Sequence, residues 1–88
     1  MSIAMSPDPR ITSLSVDEDA ITAHLADGRV VSIPLAWSWR LSEATSEQRA
    51  HFEILGQGHG VRWPDLDEDI SAQGMLSGVP ARRPRTRI

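Results

Sequence analysis

Four carboxylates fall within five residues at Asp65-Leu66-Asp67-Glu68-Asp69, and carboxylates at alternate positions are how a calcium loop begins to gather a hard cation. The rest of such a loop is missing. Its sixth position needs glycine and is Ile70, and its twelfth needs a bidentate glutamate and is Leu76. The run is expected to be a solvated acidic loop that suits the N-terminus of a following helix and binds no metal. Gly56-Gln57-Gly58-His59-Gly60 has the glycine density of a phosphate-cradling loop, but it has no lysine and leads into a strand-like run instead of a helix. A glycine-rich hairpin tip accounts for it. His24, His51 and His59 show no pair at helical zinc spacing, the chain has no cysteine, and no serine sits in a nucleophile-elbow context. No catalytic residue, cofactor site or metal site is expected, and the chain is read as not an enzyme.

Three tryptophans stand out in a chain with one phenylalanine and no tyrosine. Trp63 alternates with Val61 on a strand and is expected in the core. Trp37 and Trp39 are two apart, so on a helix their side chains diverge by about 200° and cannot share one buried face. One of the two is expected to be substantially exposed and to serve as an anchor for a partner.

What positions these residues must be small, since 88 residues make one domain with a modest core. A hydrophobic fraction of 40% against 24% charged is globular composition. Without cysteine there is no disulfide framework, so a reducing, cytoplasmic setting is expected. The start MSIAMSPDPR lacks the charged leader and apolar run of a signal, and no stretch is apolar enough to span a bilayer, so no membrane role is expected. The net charge of −3 hides an asymmetry: Arg82, Arg83, Arg85 and Arg87 crowd the C-terminus, leaving five arginines against twelve acids in the body. An acidic body with a basic tail suits a charged macromolecular partner.

The pattern predicts an α+β fold, with a small antiparallel sheet of four to five strands built from hairpins and two or three short helices. Leu14 and Val16 mark a first strand from Ile11. Ile21, Ala23 and Leu25 alternate with polar neighbours over 20–25, and Arg29–Ile33 follows across Asp27-Gly28, a pair suited to a two-residue type I′ turn. Pro34 closes that strand. Leu35–Leu41 is read as a short helix. Thr45 and Gln48 form a capping box for a helix from Ser46 to His51. Phe52–Leu55 and Val61–Trp63 make a second hairpin. Ser71 caps a last helix over 72–77, with Ile70 and Met75 placed as a hydrophobic staple, Gly78 as its terminator and Pro80 beyond. Residues 1–9 and the proline-interrupted basic segment 81–88 are expected to be disordered.

The Asp27-Gly28 hairpin, Ile33-Pro34-Leu35-Ala36-Trp37, Ala44-Thr45-Ser46-Glu47-Gln48-Arg49 and above all Trp63-Pro64-Asp65-Leu66-Asp67-Glu68-Asp69-Ile70-Ser71 resemble the bacterial family known as domain of unknown function 2442, over Arg10 to Pro80. The resemblance implies a small α+β fold without established catalysis. It also implies an antitoxin-like setting beside a second small protein, or fusion to a helix-turn-helix domain, and no such domain is expected within these 88 residues. It defines no functional residues. The expected function is a non-enzymatic protein-interaction module, the antitoxin-like partner of a small toxin-like protein in a two-protein operon, or a homodimer. The alternative is a nucleic-acid-binding accessory protein that contacts phosphates through the arginine tail. Candidate partner-binding residues are Trp37, Trp39, Arg82, Arg83, Arg85 and Arg87.

Overall fold

The structure, a computed structural model, describes residues 8–78. Two three-stranded antiparallel sheets replace the single sheet of four to five strands that the pattern predicts. The first comprises β1 (Ile11–Val16), β2 (Ala20–Leu25) and β3 (Val30–Pro34); the second comprises β4 (Glu53–Leu55), β5 (Gly60–Trp63) and β6 (Glu68–Ser71). The extra strand comes from the acidic run. Only Pro64–Asp67 forms a turn, in which Asp67 takes a left-handed conformation at φ 51°, and Glu68 already pairs with Trp63 as the first residue of β6.

Within β2 the alternation behaves as its period dictates: Ile21, Ala23 and Leu25 are buried, and His24 faces solvent. In β1 a bulge between Ile11 and Ser13 resets the phase. Ile11 therefore joins Leu14 and Val16 on the core side, which strict alternation from an odd position would forbid. The β2–β3 connection also departs from the expected two-residue turn. Gly28 N–H donates to the Leu25 carbonyl at 3.0 Å, Leu25 N–H donates to the Arg29 carbonyl at 2.9 Å, and among the three loop residues only Gly28 has positive φ, at 94°. Ala26-Asp27-Gly28 is thus a three-residue loop closed by a glycine bulge. Asp27 is freed from the left-handed role. Its carboxylate instead accepts from the backbone N–H groups of Asp8 and Arg29 and from the Arg29 guanidinium.

The stretch read as one helix over Leu35–Leu41 is split into a 3-10 turn, Leu35–Trp37, and a single-turn helix α1, Trp39–Ser42. Ser38 between them is extended, and its hydroxyl caps α1 by accepting from Leu41 N–H. Helix α2 (Ser46–Ala50) carries the expected capping box, with both Thr45 and Gln48 bonds present. Helix α3 (Ala72–Ser77) begins at Ser71, whose hydroxyl accepts from Gly74 N–H, and is followed by Gly78. No helix among the described residues is long and apolar enough to cross a membrane.

One core serves both sheets. Ile21, Leu25 and Ile33 from the first meet Val61 and Trp63 from the second, and Ala72 and Met75 fill the space between because α3 touches β3, β5 and β6. Trp63 is completely buried; its indole N–H donates to the Arg49 carbonyl at 3.0 Å and its ring lies against Phe52. The sheets are also joined through backbone, where Ile11 N–H donates to the Gly58 carbonyl at 2.7 Å. That approach depends on glycine. A Cβ at Gly58, where φ is +101°, would stand 2.6 Å from the Ile11 carbonyl oxygen and 2.7 Å from its nitrogen.

Replacing Gly58 by alanine should therefore cost about 3 kcal/mol or more, strain and clash together. Gly28→Ala, at positive φ but in open space, should cost only the conformational penalty of about 1–2 kcal/mol. Urea unfolding of both variants checks this ordering; equal losses would show that the Ile11–Gly58 contact does not hold the sheets together.

Candidate functional site

The chemistry-bearing side chains divide into a buried polar cluster and a set of surface ion pairs. Glu68 and Ser38 are the buried polar residues, 4% and 1% exposed. The Ser38 hydroxyl donates to Glu68 Oε2 at 2.6 Å, Asp69 N–H donates to Oε1 at 3.1 Å, and Arg40 Nη1 stands 3.6 Å from the same oxygen. The β6 carboxylate is thus answered from its own strand, from the segment before α1 and from α1 itself. Arg40 also lies 4.7 Å above the Trp39 ring, a cation–π placement. A serine bonded to a glutamate suggests an activated nucleophile, but this hydroxyl is spent on the carboxylate, also caps α1, and has no access to solvent. The cluster works as a lock between β6 and α1.

The other carboxylates of the acidic run go to separate partners. Arg62 on β5 donates to Asp69 at 2.9 Å and to Asp67 at 3.0 Å. His51, the residue capping the C-terminus of α2, places Nδ1 2.7 Å from Asp65 Oδ2. Among the described residues no three of His, Asp and Glu gather as a metal would need. Arg49 turns back from α2 to bond the Leu41 and Ser42 carbonyls at the end of α1. Electrostatics follow the contacts: the Arg29 guanidinium holds the Asp27 carboxyl well below the usual carboxylate range, and the Asp65 carboxylate raises the His51 imidazole above its ordinary value.

Both candidate indoles are half-buried, so neither is the substantially exposed anchor that helical geometry implied. Because Ser38 is extended, the helical divergence never arises. Trp37 packs on the core with its ring 3.6 Å from where a Gly78 Cβ would stand, and Trp39 lies under Arg40. Arg82, Arg83, Arg85 and Arg87 lie outside the described residues. Sequence reasoning missed Ser38, Arg40 and Glu68. Ser38 carried a readable sign, a serine just before an apolar helical turn, whereas nothing distinguished Glu68 from its acidic neighbours. The strand expected over Phe52–Leu55 is present as β4, at a sheet edge where Ile54 and Leu55 remain 36% and 38% exposed.

A similar fold recurs in other proteins. A family model described as protein of unknown function (DUF2442) matches residues 11–81. The chain belongs to the DUF2442 family. Its fold is similar to a crystal structure of a protein of unknown function from Rhodospirillum rubrum, with a TM-score of 0.72 and 29% identity over 84% of this chain and 92% of that one. It is also similar to a solution structure of an uncharacterized protein from Chromobacterium violaceum, with a TM-score of 0.69 and 29% identity over 83% of this chain and 69% of that one. No curated protein matches the chain. The fold of this DUF2442 chain is α+β, with three α-helices and two small sheets among the described residues.

The His51–Asp65 pair has a defined pH signature. A raised histidine pKa stabilises the folded chain fully below the unfolded value of about 6.5, and that contribution is lost as pH rises through the folded value. In an NMR pH titration His51 should titrate above the ordinary histidine value, and Asp65→Asn should lower its midpoint. A midpoint indifferent to Asp65→Asn would show that the contact carries no ionic component.

Proposed function

We propose that this DUF2442 chain is a non-enzymatic protein-interaction module that binds a basic partner protein, as the antitoxin-like member of a two-protein bacterial operon. One observation carries the reading. Each of the five arginines among the described residues is engaged inside the molecule: Arg10 by Asp8, Arg29 by Asp27, Arg40 by Glu68, Arg62 by Asp67 and Asp69, and Arg49 by carbonyls. Asp17, Glu18, Asp19, Glu47 and Glu53 form no ion pair among the described residues, and all five are exposed. A surface whose cations are internally neutralised and whose surplus is negative suits a basic protein partner and disfavours phosphate contact by the body. Satisfied buried polar groups support the same reading, because the Ser38–Glu68 cluster is committed to structure. The cysteine-free composition fits a cytoplasmic role. Nucleic-acid binding through Arg82, Arg83, Arg85 and Arg87 is the competing reading, and it rests on the sequence of the tail.

Co-expression with the product of the neighbouring gene tests the proposal. The two proteins should co-elute at low salt and separate as ionic strength rises, since exposed charge pairs are screened. Failure to co-elute at any salt would contradict it. A gel shift with the full chain, lost when the chain ends at Pro80, would favour the nucleic-acid reading instead.

A further inference from the structure

The two faces of the second sheet run out unevenly at β4. Across the core-facing side the row is Ile70, Val61, Ile54: Val61 is completely buried between its neighbours, but Ile54, at the end of the row, is 36% exposed. Across the opposite side the row is Asp69, Arg62, Glu53. Arg62 is held by Asp67 and Asp69, so the terminal Glu53 forms no ion pair among the described residues and exerts only a through-space pull on His51. Both rows stop one residue short of completion.

The backbone along that edge is equally open. Among the described residues no backbone hydrogen bond joins Glu53 or Ile54 to an element other than β5; β1 packs beside β4, but its backbone hydrogen bond to this hairpin runs from Ile11 to the tip at Gly58. Sheet edges are ordinarily blunted by lysine, proline or a cover. The edge strand β3 ends in Pro34, and β6 runs directly into α3. β4 ends in neither proline nor helix: it is short, carries the single charge of Glu53, has β1 alongside without a backbone hydrogen bond to Glu53 or Ile54 among the described residues, and all three of its residues are exposed.

We propose that β4 is a strand-addition site for an extended, basic and apolar segment of a partner protein. An added strand supplies the missing row ends: an apolar side chain beside Ile54 on the core side, and a cation beside Glu53 on the other. Alternation along one strand delivers both, with main-chain hydrogen bonds supplying affinity and side-chain alternation supplying selectivity. This deepens the interaction-module reading, on which it rests for the existence of a partner, by naming where that partner docks and with what chemistry.

The probes are three short peptides titrated into the isotopically labelled full chain: one alternating arginine and valine, one alternating glutamate and valine, and the arginine peptide N-methylated throughout. The arginine peptide should shift the Glu53–Leu55 amides and bind at least about tenfold better than the glutamate peptide, the scale of one charge pair at an interface. N-methylation should weaken it at least about tenfold, and Glu53→Arg should reverse the preference between the two unmethylated peptides. Absence of binding, indifference to N-methylation or to Glu53→Arg, shifts centred elsewhere, or self-association of the chain through β4 without peptide would each overturn the proposal. If Glu53→Arg still co-elutes undiminished with the neighbouring gene product, the β4 assignment falls and the interaction reading stands. If the peptides behave as stated but no gene product co-elutes, the edge stands and the operon reading falls.

Discussion

A carboxylate removed from water must have its charge answered by nearby donors, or the burial costs several kcal/mol. Glu68 meets that condition through two hydrogen-bond donors, Ser38 and Asp69, and the nearby Arg40 cation, and the second half of the molecule is arranged around it. The Ser38 hydroxyl reaches it only because the chain stays extended between Trp37 and Trp39, and that same hydroxyl starts α1. Arg40 reaches it only from the first turn of α1. Glu68 in turn fixes where β6 begins, because its pairing with Trp63 sets the register that carries Ile70 onto the core side and Ser71 to the cap of α3. One buried bond therefore links the position of a helix, the register of a strand and the start of the last helix.

This arrangement assigns the polar residues to two tasks. Inside, they are committed to architecture: the Ser38–Glu68 lock, the Trp63 indole on the Arg49 carbonyl, and the Arg49 guanidinium on the end of α1. Outside, the arginines among the described residues are consumed in local pairs and leave a negative excess there. A fold of this size has few side chains to spare, since much of its small core is needed for stability. What remains for function is surface: charge, and the exposed edge strand β4.

Local signals were legible where one residue type has one physical reason for its place. The capping box at Thr45 and Gln48, the Ser71 cap with Gly78 beyond, and the alternation of Ile21, Ala23 and Leu25 all follow from short-range chemistry and appear as read. What failed were inferences in which tertiary contacts outweigh local pattern. Asp27-Gly28 suits a two-residue turn, but Asp27 is held by the Asp8 backbone and Arg29, and the loop takes a third residue. The bulge that brings Ile11 inward leaves no trace in periodicity. The acidic run looked uniformly solvated, yet Glu68 differs from its neighbours only through Ser38, thirty residues away in sequence. Trp37 and Trp39 could not be placed without knowing that Ser38 interrupts the helix. The candidate site was therefore less legible than the fold, because a buried pair remote in sequence has no local signature.

The claim that the buried polar pair is an architectural lock is most directly tested by a double-mutant cycle on Ser38→Ala and Glu68→Gln, measured by urea unfolding. Both residues contact third parties, Leu41 for Ser38 and Asp69 and Arg40 for Glu68, and the cycle isolates the term they share. The account predicts that each single substitution is destabilising and that the two are coupled by about 1–3 kcal/mol, the double variant losing less than the two single losses added together. Losses that add to within about 0.5 kcal/mol would contradict it, because the bond between the two side chains would then contribute nothing to holding β6 against α1.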